Sequence, residues 1–269
     1  MGSIGGLDSY RAAAYLAHQI GDEELIMETD QYVGCQTADE EQATSLLNSV
    51  IQMARHSGRR NREAWAMCNL GNRLRMRGDL RQASGILAEG IGLAQAAGDE
   101  GVIAVCLFHL VQLYRDQGDH AQALAVLDRS LALCRQQGLQ GSLGVHLCCQ
   151  AEIGLHLGNI ALARAALMEH IPLHHRMDYL ERVAHGLATA AGLAQAQRQP
   201  LQAARLLGAA QAIRRDHHSL GVFEAELFAD YEQRLQALRV ELEPTAFESA
   251  WAVGQQWTLN QAIQEALAV

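Results

Sequence analysis

The chain has 269 residues, 49% of them apolar, and a net charge of −9, enough for one elongated array or two ordinary domains and opposed to general nucleic-acid binding. All 21 basic residues are arginine, which excludes a phosphate-loop lysine, Schiff-base chemistry and pyridoxal phosphate attachment within this sequence. No run approaches the roughly 18 apolar residues of a membrane span, and no charged-then-apolar start resembles a secretory signal, so the expectation is a soluble, cytoplasmic protein.

In chain order, Met1-Gly2-Ser3 reads as foreign to the natural chain, and Gly6 stands where a myristoylation motif needs Ser or Thr. Leu16-Ala17-His18-Gln19-Ile20-Gly21-Asp22 parallels Leu93-Ala94-Gln95-Ala96-Ala97-Gly98-Asp99. The chain is therefore expected to open in the second helix of an incomplete unit. Such an end lacks a polar cap, so a homo-oligomer formed through it is one expectation.

The organising signal is a period. Gly78-Asp79-Leu80-Arg81-Gln82-Ala83 returns forty residues later as Gly118-Asp119-His120-Ala121-Gln122-Ala123, and forty after that as Gly158-Asn159-Ile160-Ala161-Leu162-Ala163. The beat continues outward to Ala38-Asp39-Glu40-Glu41-Gln42-Ala43 and to Arg198-Gln199-Pro200-Leu201-Gln202-Ala203. A fixed period of this length marks a repeat array. Within each period one helix precedes the Gly-Asp turn and another follows it: Met67, Leu70, Gly71 and Leu74 recur at helical spacing, Asp79 can cap, and Ala83 and Leu87 continue the stripe. Gly58, Gly98 and Gly138 fall where each second helix should end, a position that favours a left-handed residue.

The fold class expected is all-α: a right-handed superhelical solenoid of antiparallel helix pairs over residues 1–221, with capping helices over 222–269. Residues 222–242 read as a helix, Pro244 suits the first turn of the next, and Thr258-x-x-Gln261 makes a capping box for the last. Phe247, Trp251 and Trp257 are expected to cover the end of the core. Pro172 should disrupt the helix that would otherwise place His170 and His174 on one face; His217-His218 falls in a turn between units. No metal is assigned to either group, and no cofactor to the chain.

The run M-x2-L-G-x2-L followed by A-x3-L (Met67 to Leu87), and L-x2-L-V-x2-Y followed by A-x3-L (Leu107 to Leu127), resembles the tetratricopeptide pattern W-x2-L-G-x2-Y…A-x3-F. The period is forty rather than about 34, and the usual proline after the second helix is missing, as in the longer-helix variety of large bacterial regulators. The resemblance covers roughly residues 22–220. In the tail, the run from Ala204 to Arg214, Phe247-Glu248-Ser249-Ala250-Trp251, and Leu259-Asn260-Gln261-Ala262-Ile263 resemble the C-terminal end of bacterial signal-transduction ATPases with LuxR-type or SARP-type DNA-binding domains. That resemblance implies a sensor and interaction arm, excised or free-standing, because nothing matches the nucleotide-binding or DNA-binding parts.

The six cysteines include no CxxC pair and mostly occupy apolar helical positions, so reduced, buried thiols are expected. Charge is uneven. Eight arginines (Arg55, Arg59, Arg60, Arg62, Arg73, Arg75, Arg77, Arg81) face only Glu63 and Asp79, while the stretch from Val222 is acidic. Solvated faces are the commoner meaning; the alternative is an acidic or phosphate-bearing partner for the arginines.

In a tetratricopeptide array the first helix of each unit lines the concave groove. Counting from the repeat phase, the groove residues are Trp65, Asn69, Asn72 and Arg75; His109, Gln112, Arg115 and Asp116; Glu152 and His156; and His185 and Thr189. This polar set suits an extended peptide backbone or a carboxylate, with Trp65 as aromatic anchor. The expected function is a non-catalytic interaction or sensor module that binds a protein, a peptide or a small effector, with no direct nucleic-acid or membrane partner. Two alternatives stand beside it: a small-molecule binding protein or enzyme using His109, Arg115, Glu152 and His156, and an oligomerisation scaffold. No residue is assigned a catalytic role.

Overall fold

The computed structural model describes residues 6–216 and 229–269, and among these the structure is all-helical. The helices are α1 (Gly6–Ile20), α2 (Glu23–Gln36), α3 (Glu40–His56), α4 (Arg60–Met76), α5 (Leu80–Ala97), α6 (Glu100–Asp116), α7 (His120–Gln136), α8 (Gln140–His156), α9 (Ile160–Arg176), α10 (Leu180–Ala196), α11 (Pro200–Asp216), α12 (Ala229–Glu241), α13 (Pro244–Gln255) and α14 (Leu259–Ala268). Residues 1–5, His217-His218 and the start of the helix expected over 222–242 lie outside the described residues.

The forty-residue period resolves into a beat of half that length, since α3 to α11 begin at residues 40, 60, 80 and so on to 200. From the α3–α4 junction to the α10–α11 junction a left-handed residue stands shortly before the next helix. Gly58, Gly78, Gly98, Gly118, Gly138 and Gly158 supply it with φ between 66° and 83°, and Asp178 and Arg198 hold the same place with φ of 57° and 60°. A polar cap follows: Asp39, Asp79, Asp99, Asp119 and Asn159 each accept from the backbone N–H three residues on. Each cap is worth about 1 kcal/mol. Connections this short reverse the chain, so within each unit consecutive helices pack as antiparallel pairs.

Two compact units divide between Leu139 and Gln140. In the first, α2 packs on α3, α4 on α5 and α6 on α7, and first helices also touch along the array, α2 to α4 and α4 to α6. Leu47, Val50, Ala64, Cys68, Leu87 and Leu107 lie in its core. Gly71 lets α4 and α5 approach, for an added Cβ would stand 2.7 Å from Leu87 Cγ. In the second unit α8, α9, α10 and α11 follow the same scheme, and α12 to α14 close onto α10 and α11. The core there is rich in alanine, with Phe247 2% exposed and Trp251 and Trp257 packed against it as expected. Gly208 of α11 and Gly254 of α13 meet backbone to backbone: a Cβ on either would strike a carbonyl of the other helix. The Thr258–Gln261 capping box is formed.

Two expectations fail. Helix α9 runs unbroken through Pro172, so His170 and His174 do share a face, their ring centroids 4.5 Å apart. The proline frees the carbonyl of Met168, a residue 55% exposed, where water can satisfy it at little cost. The cysteines are not all reduced either: Cys68 of α4 is joined to Cys106 of α6, with Cα atoms 5.2 Å apart. Their separation of 38 residues is close to one period, so the bond crosses two neighbouring first helices. The absence of a side chain on Gly90 makes room for Cys68 Sγ.

Candidate functional site

In the first unit, the polar residues of the first helices mostly hold one another. Asn69, Asn72, Arg75 and His109 are buried. Arg75 Nε donates to Asn72 Oδ1 at 2.9 Å, and its guanidinium pairs with Asp116 of α6 at 2.6 Å. Asn69 donates to the carbonyl of Trp65 at 2.9 Å, and Arg115 to Gln112 Oε1 at 2.9 Å. Trp65 remains 39% exposed, with the Arg62 guanidinium 5.9 Å from its ring.

The arginine cluster is likewise engaged within the unit. Arg59 and Arg62 pair with Glu24, Arg55 with Glu63 at 2.7 Å, and Arg73 with Glu40 at 2.7 Å. Arg73 also donates to the carbonyls of Gly34, Cys35 and Thr37, which end α2, where a cation meets the negative end of the helix dipole. Arg60, Arg77 and Arg81 stay on the surface.

In the second unit, α8 and α10 bring three buried groups together. His185 stands between two partners: its Nδ1 is 3.4 Å from Cys148 Sγ, and its Nε2 is 2.9 Å from Glu152 Oε1. Helix geometry explains half of this, because Cys148 and Glu152 are four apart on α8 and project from one face. The Thr189 hydroxyl, 3.6 Å from Cys148 Sγ, is held by a bond to the His185 carbonyl at 3.1 Å. Burial by itself would lower the His185 pKa. The Cys148 sulfur and the Glu152 carboxylate outweigh it and hold the imidazole up at about 9.

His156, expected beside Glu152, is exposed and turns its Nδ1 back to the Glu152 carbonyl at 2.9 Å. Glu152 and His185, both expected to line the groove, are thus brought together but buried, and with Cys148, which the sequence suggests is only a small hydrophobe. Only half of the signal is local: Cys-x3-Glu puts two donors on one helix face, while the histidine a little under one period further on carries no mark of its partner.

A second buried pair lies nearby in sequence. His170 Nδ1 is 2.7 Å from the Gly144 carbonyl and its Nε2 3.0 Å from that of Arg182, while His174 packs against Gly144 itself. Burial pushes both pKa values down, His174 to about 3 with the charges of His170 and Arg182 adding to the effect.

No family model matches the chain, and no curated protein matches its sequence. Among solved structures it is similar to BtubC (BKLC) from P. vanneervenii, with a TM-score of 0.63 and 19% identity, over 86% of this chain and 92% of that one. At that identity the likeness is one of fold: an all-helical array of repeated helix pairs.

Proposed function

We propose that the chain is a non-catalytic tetratricopeptide-like interaction module, the sensor arm of a bacterial regulatory protein of the LuxR-type or SARP-type ATPase kind. It takes an extended peptide segment along the first-helix face of its first unit. The observation that carries this is Trp65, a large aromatic left 39% exposed on a first helix whose polar neighbours are fixed by mutual hydrogen bonds. An exposed aromatic on a rigid polar frame has the makeup of an interface anchor. Arg115 and Gln112, one repeat on, supply donors for a carboxylate or a peptide carbonyl.

The test is a titration with an array of extended peptides, acidic members included, read by tryptophan fluorescence and by calorimetry. Binding should be weakened at least tenfold in Trp65→Ala and in Arg115→Ala, with melting temperature little changed. Equal affinity in wild type and both variants removes this face as the site.

A second reading, self-association through α1, is favoured by Tyr15, Leu16 and Ile20, which are 66%, 61% and 68% exposed along one helix. Sedimentation velocity over a concentration series should show a dimer that Leu16→Glu abolishes. A monomer throughout removes this reading.

A further inference from the structure

From Cys148, Glu152 and His185 we infer a binding site for a single divalent transition-metal ion of the zinc class, set between α8 and α10. The inference goes beyond the peptide-binding reading and does not depend on it.

The three side chains offer a thiolate sulfur, an imidazole nitrogen and a carboxylate oxygen, and these donor atoms lie within 4.8 Å of one another. The geometry separates two arrangements. Partners placed in line with the opposite nitrogens of one imidazole, at ordinary hydrogen-bond lengths, would stand about 8 Å apart across the ring. Here the sulfur and a carboxylate oxygen lie within 4.8 Å of each other, so although each is nearest a different ring nitrogen, they are not strung out in line with the two. Three donor atoms clustered within that distance are what an ion requires and what a linear proton relay does not.

The spacing also fits. Zinc–sulfur and zinc–nitrogen bonds of about 2.3 and 2.0–2.1 Å at a tetrahedral angle put the two donors about 3.5 Å apart. Cys148 Sγ and His185 Nδ1 are already 3.4 Å apart. Glu152 completes the set with a carboxylate oxygen within 4.8 Å of the other two donor atoms.

Donor chemistry selects the ion. A thiolate with an imidazole and one carboxylate disfavours calcium and magnesium, which take oxygen ligands, and suits zinc or cobalt(II). Burial supports a small occupant: Cys148, Glu152 and His185 are 2%, 6% and 4% exposed, which leaves little room for an organic substrate. Three protein ligands leave a fourth position for water or for the Thr189 hydroxyl, 3.6 Å from the sulfur. Binding releases to solvent the protons carried by the Cys148 sulfur and by the ring nitrogen of His185 that takes the ion, and no electron changes hands. Because the ligands come from first helices of adjacent repeats, the ion would pin the two helix pairs together.

The experiment uses the full chain, dialysed against chelator without thiol reductant and checked as folded by circular dichroism. One equivalent of cobalt(II) should give a thiolate-to-metal charge-transfer band in the near ultraviolet, which zinc then displaces. The band should vanish in Cys148→Ser, persist in Cys149→Ser, and require at least tenfold more cobalt in Glu152→Gln and in His185→Gln. Zinc should raise the melting temperature of the wild type and not of Cys148→Ser. Should Cys148→Ser fail to fold, the wild-type band and its shifted titration in Glu152→Gln decide the matter. A folded wild type with no band, a band that survives Cys148→Ser, one lost in Cys149→Ser, or one indifferent to Glu152→Gln overturns the site.

Discussion

Arg75 and Asp116 pair at 2.6 Å although 41 residues separate them, joining the last turn of α4 to the last turn of α6. The guanidinium is 4% exposed and the carboxylate 38%, so the arginine depends on a partner that water can still reach. Reading Arg75 as a groove residue implies that its removal spares stability; its burial implies the reverse. Asp116→Asn should cost about 1–3 kcal/mol and Arg75→Ala at least as much, measured by urea unfolding. A loss under about 0.3 kcal/mol in both would show that the pair contributes nothing.

The Cys68–Cys106 link closes a loop of 38 residues, and a crosslink of that span is worth about 2–4 kcal/mol. Cys68→Ser should lower stability by that amount. Thiol titration of the denatured, unreduced protein should count four free groups, those of Cys35, Cys134, Cys148 and Cys149. Six would mean the bond had not formed. Disulfides are rare in a reducing cytoplasm, so that count also bears on the expected cytoplasmic location.

His170 and His174 are buried with pKa values below that of a free imidazole, so the unfolded chain binds more protons than the folded one at acid pH. The contribution of His174 is therefore full above about 6.5 and falls as the pH drops from there toward 3, by at most about 1.4 kcal/mol per pH unit, and that of His170 changes in the same direction. Urea unfolding at pH 7, 6, 5.5 and 5 samples this window above the range where most carboxylates titrate. His174→Gln should flatten the profile; an equally steep one would assign the loss to other groups.

Two kinds of helical glycine should respond oppositely to alanine. At Gly144 a Cβ would run into the His174 ring, so Gly144→Ala should destabilise by about 1–3 kcal/mol. At Gly85 and Gly92 of α5 an added Cβ meets nothing within 4 Å, and alanine should stabilise by about 0.5–1 kcal/mol each through helix propensity. Thermal melts of the three variants check both signs.

The helix-pair architecture was legible because turn chemistry repeats: Gly78-Asp79 and Gly118-Asp119 carry the same left-handed residue and the same cap. The half-length beat was harder to see, because Asp178 and Arg198 occupy the glycine position and Tyr179 stands where a capping aspartate is expected. Pro172 misled for a physical reason, since its broken backbone bond faces the side of α9 that carries exposed Met168. At the candidate site Glu152 and His185 were legible as first-helix positions facing one way. Their partnership with Cys148 was not, because the contact joins α8 to α10, and no local spacing reports how two helices a repeat apart are rotated. The arginines near Arg73 looked like a solvated face for the same reason: their carboxylate partners are supplied mainly by other helices.

The regular start of α3 to α11 carries a consequence for how such a chain can grow or shrink. Excising one helix with its turn would leave the next one entering from the wrong end, its apolar stripe turned from the neighbour it needs. Excising two rejoins the backbone in the same direction and the same phase. Deleting or duplicating an even number of helices should therefore be tolerated where an odd number is not, a parity rule imposed by chain polarity.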